Sequence, residues 1–164
     1  MLLEFLRDNH FDGAASNPMY RLDLRSSIGT VSDSNAALRI LVYSDDAATR
    51  ARVTTALGKQ LHPDLPALSY VEVATEPMVI RQMDAGGIDL AVLDGEAAPA
   101  GGMGICKQLK DEITPCPPIV VLTGRADDVW LAKWSHADAA VAHPIDPMEL
   151  SHAVLGLLRG QPAS

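Results

Sequence analysis

The sequence predicts an α/β domain built on a single parallel sheet. Two observations carry this expectation. From residue 38 onward, five short runs rich in Val, Ile, Leu and Ala recur, each followed by a stretch with helical spacing and helix-end signals. The runs are apolar throughout rather than alternating, as in strands covered on both faces, and spacers of about ten to fifteen residues suit crossover helices. Composition agrees: the chain is 48% hydrophobic but only 4% aromatic, which favours close packing of helices on a sheet.

The elements follow in order. LRILVYS, residues 38–44, reads as a buried strand. DDAATRARVTTALGKQL follows as a helix, with acids at its start and Val53, Ala56 and Leu57 at helical spacing. HPDLPAL is a loop, and SYVEVA the second strand. TEPMVIRQMDAGG has a Thr cap, an early Pro and terminal glycines, so it reads as a helix. IDLAVLD is the third strand, GEAAPAGGMG a glycine-rich loop and ICKQLKDEI a helix. PPIVVLT is the fourth strand, and GRADDVWLAKWSH a turn and a short helix. ADAAVAH is the fifth strand, and DPMELSHAVLGLL the last helix. The expected architecture is a (βα)5 three-layer sandwich. Right-handed crossovers bring every strand's C-terminal end to one rim. With five units, the flavodoxin-like order 2-1-3-4-5 is the expected topology.

Residues 1–37 read as an N-terminal extension or arm, residues 38–158 as the domain, and residues 159–164 as a tail. The arm carries turn-rich stretches, DGAASNP and VSDSNAA, around short apolar pieces without a period. The formal net charge of −8 argues against a nucleic-acid surface. No apolar stretch approaches the roughly 20 residues that cross a bilayer. The opening MLLEFLRDNH lacks a basic start and is broken by Glu4, which makes it a poor signal peptide. Cys106 and Cys116 form neither a CxxC motif nor part of a zinc pattern, so two reduced thiols in a cytoplasmic protein are expected.

The strand ends concentrate the chemistry. Strand 1 ends at Ser44-Asp45-Asp46, strand 3 at Asp94, strand 4 at Thr123 and strand 5 at His143-Pro144. In the order 2-1-3-4-5, strands 1 and 3 are neighbours, so Asp45 and Asp94 converge. Two carboxylates at one rim repel each other unless a cation lies between them. A hard divalent ion such as Mg2+ suits a site with few protein oxygens and several waters. Thr123 adds a hydroxyl and His143 a potential cation. Together these are the parts for phosphoryl transfer to a carboxylate. Each residue also has a plainer role open to it. Asp45 or Asp46 could cap the first helix, Asp94 could be a turn residue, Thr123 could cap a helix, and His143 could be half-buried and inert.

On the stretches RILVYSDDAATR, GIDLAVLDGE, PPIVVLTGR and ADAAVAHPIDPMEL, residues 38–158 resemble the receiver domain of two-component response regulators. The resemblance implies that Asp94 accepts a phosphoryl group from a histidine kinase. It implies that Mg2+ is held by Asp45, Asp94 and the backbone carbonyl of Glu96, that Thr123 binds a phosphoryl oxygen, and that the residue before Pro144 pairs with the phosphoryl group, usually before a cis bond. The sequence departs from the family at several places. That last residue is His143 where the family has lysine, Ser44 replaces one acid of the strand 1 pair, and Ala140 replaces the aromatic switch residue. The resemblance implies a signalling domain, at most self-phosphorylating and self-dephosphorylating, rather than an enzyme. Its expected partners are a sensor histidine kinase or phosphotransfer protein and a downstream protein. As no output module is recognisable, the expectation is a stand-alone receiver, with a homodimer through the last two helices and strand 5 as one mode of contact. The alternative is an unphosphorylated pseudo-receiver acting as an interaction module. Other flavodoxin-like readings fit less well. A haloacid-dehalogenase-type phosphatase would want a Thr at Ala98, and cobalamin binding would want a histidine near Asp94. Trp130 and Trp134 lie four apart on the fourth helix; core packing is the default expectation, and exposure of Trp134 would instead mark a docking surface.

Overall fold

A computed structural model describes residues 36–160 of the chain. Most of the predicted arm, residues 1–35, and the end of the predicted tail, residues 161–164, lie outside the described residues. Among the described residues, five strands and five α-helices alternate: β1 (Leu38–Tyr43), α1 (Ala47–Leu57), β2 (Leu68–Val73), α2 (Glu76–Ala85), β3 (Leu90–Asp94), α3 (Gly102–Glu112), β4 (Ile119–Thr123), α4 (Val129–Trp134), β5 (Ala139–Ala142) and α5 (Pro147–Leu158). A 3-10 turn, Ala126–Asp128, leads into α4. The sheet is parallel, in the order β2-β1-β3-β4-β5. The fold is therefore the flavodoxin-like one that the strand count predicts.

The sheet separates two apolar layers because neighbouring residues of a strand point to opposite faces. Ile40, Val42, Leu90, Val92, Val120 and Leu122 pack with Val53 and Leu57 of α1 and Leu150 and Val154 of α5. Leu41, Tyr43, Ala91, Leu93, Ile119 and Val121 pack with Val79 and Met83 of α2 and Ile105, Cys106 and Leu109 of α3. Both faces of β1 and β3 are thus covered, which is why these strands read as unbroken apolar runs. Fully burying each Leu, Ile or Val contributes about 1.5–3 kcal/mol.

Three local readings are corrected. The acids of the first helix lie outside it: Asp46 is its N-cap, and α1 starts at Ala47. The predicted loop 95–104 stops earlier, since Gly102, Met103 and Gly104 form the first turn of α3. Gly102 is required there by close approach, because a Cβ would lie 2.7 Å from the Asp94 carbonyl oxygen and 2.8 Å from the carbonyl carbon of Leu93. The tryptophans are not core residues: Trp130 is 65% exposed and Trp134 54% exposed. With six residues, α4 is too short to bury both.

Candidate functional site

The rim at the C-terminal ends of the strands contains the switch point, where the chain leaves β1 for β2 on one side and β3 lies on the other. Asp94, the last residue of β3, is 4% exposed. A carboxylate this buried needs hydrogen-bond partners. Its Oδ1 accepts the Glu96 N–H at 3.0 Å and lies 3.4 Å from His143 Nε2. Its Oδ2 accepts the Ser44 hydroxyl at 2.8 Å. The Glu96 contact is the local turn that an aspartate makes with the backbone two residues on.

His143 turns inward rather than to solvent. Its own N–H donates to the Thr123 carbonyl at 2.8 Å, extending the β4–β5 ladder by one bond. The His143–Pro144 peptide is cis. Thr123 is buried at the end of β4. Beside it, Gly124 lies under the Glu96 side chain, and a Cβ at Gly124 would lie 2.5 Å from Glu96 Cδ.

The two acids after β1 divide their roles. Asp46 caps α1, accepting the Ala48 N–H at 3.0 Å, the Thr49 N–H at 3.2 Å and the Thr49 hydroxyl at 2.9 Å. The Ala48 N–H and then the Thr49 hydroxyl hold its carboxyl below the ordinary range. Asp45 is exposed and is not the cap. The Tyr43 hydroxyl has its pKa raised first by burial and then by Asp45, Glu76 and Asp94. That hydroxyl donates to the Ala100 carbonyl at 2.6 Å, holding the loop after β3 against β1.

Among the described residues, no group of three or more His, Cys, Asp or Glu side chains forms a metal cage. The oxygens that the resemblance assigns to a metal are the carboxylates of Asp45 and Asp94 and the backbone carbonyl of Glu96. Such an all-oxygen set with few protein donors fits Mg2+, which retains several waters.

No protein-family profile matches the chain. An uncharacterized response regulatory protein of Mycobacterium tuberculosis, found in two strains, is 73% identical over 127 residues, covering 77% of this chain and 96% of the relative. The chain belongs to the response regulator receiver family. Solved receivers agree on the fold. A LuxR-family two-component response regulator from Aurantimonas superposes with TM-score 0.65 at 21% identity, covering 79% of this chain and 90% of that one. A CheY-like receiver domain protein from Methanospirillum hungatei gives 0.62 at 20% identity, with 77% and 97% covered. The receiver domain of a Saccharomyces cerevisiae response regulator, solved together with a histidine phosphotransfer protein, gives 0.65 at 18% identity, with 77% and 92% covered.

Within this receiver, the structure gathers Asp94, His143 and the Glu96 backbone, with Thr123 adjoining and Asp45 on the exposed side. Two contributors escaped the sequence reading. Ser44 drew notice only as a missing acid, yet it is a direct partner of Asp94. Arg50 drew none, yet its Nη1 donates to the Ser44 carbonyl at 2.6 Å and its Nε lies 3.5 Å from Glu72. An arginine about one helical turn into α1 carries no sequence signal for that contact.

Proposed function

We propose that this receiver is a phosphorylatable signalling switch in which Asp94 accepts a phosphoryl group from a sensor histidine kinase, a phosphotransfer protein or a small donor. The supporting observation is the contact of His143 Nε2 with Asp94 Oδ1 at the switch point, beside Thr123. In transfer, an Asp94 carboxylate oxygen forms a bond to phosphorus as the bond from phosphorus to the donor breaks, and the donor leaves with that electron pair. Charge spreads over the three phosphoryl oxygens. In this reading the Thr123 hydroxyl and the His143 ring would donate to those oxygens, which stabilises the transition state more than the ground state. Mg2+, held by Asp45, Asp94 and the Glu96 carbonyl, would neutralise the carboxylates and the incoming phosphoryl group. The output is contact with a downstream protein, and the exposed Trp130 and Trp134 on α4 present an apolar surface for it or for a second copy of this receiver. A stand-alone mode of action fits a relative that matches over 96% of its length.

A second reading has its own support. His143 in place of lysine and Ala140 in place of the aromatic residue favour a pseudo-receiver that binds partners without phosphorylation. Intact-mass analysis after incubation with acetyl phosphate and Mg2+ separates the two. A single phosphate adduct, absent in Asp94→Asn, is expected. No adduct under any Mg2+ condition, or one that persists in Asp94→Asn, favours the pseudo-receiver.

A further inference from the structure

We propose that Ser44 is a positioning residue for the phosphoacceptor, fixing the Asp94 carboxylate through Oδ2 and tying it to the first turn of α1. This rests on Asp94 being the phosphoacceptor. The Ser44 side chain is fully buried, and its hydroxyl does two things at once: it donates to Asp94 Oδ2 at 2.8 Å and accepts the Asp46 N–H at 3.1 Å. The direction of the chain is not optional. A backbone N–H only donates and an ionised carboxylate only accepts, so the hydroxyl proton must point to Asp94. Hydrogen bonds arranged in series polarise one another.

Ser44 is itself held firmly. Its carbonyl accepts Arg50 Nη1 at 2.6 Å, and its N–H donates to the Val73 carbonyl at 3.3 Å. Asp94 therefore has a donor on each oxygen, the Glu96 N–H on Oδ1 and the Ser44 hydroxyl on Oδ2, from opposite sides of the switch point. Two donors on two oxygens fix both the rotamer and the plane of the carboxylate. An acid at position 44 would instead set two carboxylates within hydrogen-bond reach, an arrangement that needs a cation to hold it. Serine makes the geometry independent of one. The same chain links Asp94 to the Asp46 cap, so a change at the carboxylate reaches the N-terminus of α1.

Ser44→Ala removes the donor, and Ser44→Cys is nearly isosteric with a weak one, which separates hydrogen bonding from packing. Two measurements are made on the full chain. Without metal, NMR of the Asp94 side-chain carboxyl carbon and of the Glu96 and Asp46 amides should show all three shifted in both variants. With Mg2+, adduct formation at saturating acetyl phosphate should slow by roughly tenfold or more, as expected for losing a hydrogen bond to a charged group, while half-saturation stays unchanged. Wild-type resonances in both variants, or an unchanged or faster saturated rate, overturn the proposal. The failures are distinguishable. A wild-type protein that forms no adduct sinks the proposed function, whereas the metal-free resonances still decide the role of Ser44.

Discussion

Replacing Gly102 by alanine tests how closely α3 is docked on the strand that carries Asp94. A Cβ there would lie 2.7 Å from the Asp94 carbonyl oxygen, 2.8 Å from the Asp94 carbonyl carbon and 2.8 Å from that of Leu93. All three atoms are main chain of the central strand, so no flexible side chain can swing away. Either α3 moves outward or β3 bends, and overpacking of this kind costs roughly 1–3 kcal/mol, occasionally more. Gly104, in the same first turn of α3, supplies the control, because nothing lies within 4 Å of its Cβ position. There, alanine should gain about 0.5–1 kcal/mol from helix propensity alone. The two variants, identical in composition, should thus differ by about 1.5–4 kcal/mol. Urea denaturation with a shared slope reads the difference directly. Because the clash falls on the Asp94 main chain, Gly102→Ala should also slow phosphate-adduct formation, and Gly104→Ala should not. Equal stability of the two variants, or a more stable Gly102→Ala, would refute the close docking of α3.

Two further outcomes are expected. In the presence of Mg2+, His143→Ala should weaken beryllofluoride binding by roughly tenfold or more through loss of a charge-assisted donor, whereas His143→Lys should retain binding; tryptophan fluorescence titration checks this, and equal affinity in wild type and His143→Ala would remove His143 from the site. Burial raises the Cys106 thiol from 9.0 to about 11, so above pH 9 the unfolded chain loses that proton while the folded one keeps it. Stability should therefore fall between about pH 9 and 11, by on the order of 2 kcal/mol from this group. Cys106→Ala should flatten that slope whatever its effect at neutral pH, and denaturation across the pH range would expose an unchanged slope.

The predominantly apolar runs at 38–44, 88–94 and 117–123 already specify strands covered on both faces. Alternation with helices then permits few topologies, and chirality selects among them. That is why the sheet order was legible from the chain. The positions of Asp94, Thr123 and His143 at strand ends were legible for the same reason: a rim is a consequence of topology, not of side-chain detail. The first turn of α3 was misread because glycine carries two signals. At Gly102 it marks a main chain pressed against β3 rather than a loop, and only the packed neighbour reveals which.

The sequence by itself determined the architecture, the rim and the acid at its centre, because periodicity and chain direction are one-dimensional properties. The tertiary structure alone decided what each rim residue touches. Asp45 and Asp46 are adjacent and chemically identical, yet Asp46 spends its carboxylate capping α1 and Asp45 remains exposed. Ser44 and Asp94 are 50 residues apart, and nothing in either stretch announces a 2.8 Å hydrogen bond between them. The reason is physical. A hydrogen bond depends on a few tenths of an ångström and on the direction of a single proton, and only the packing of α1 and β1 against β3 sets those.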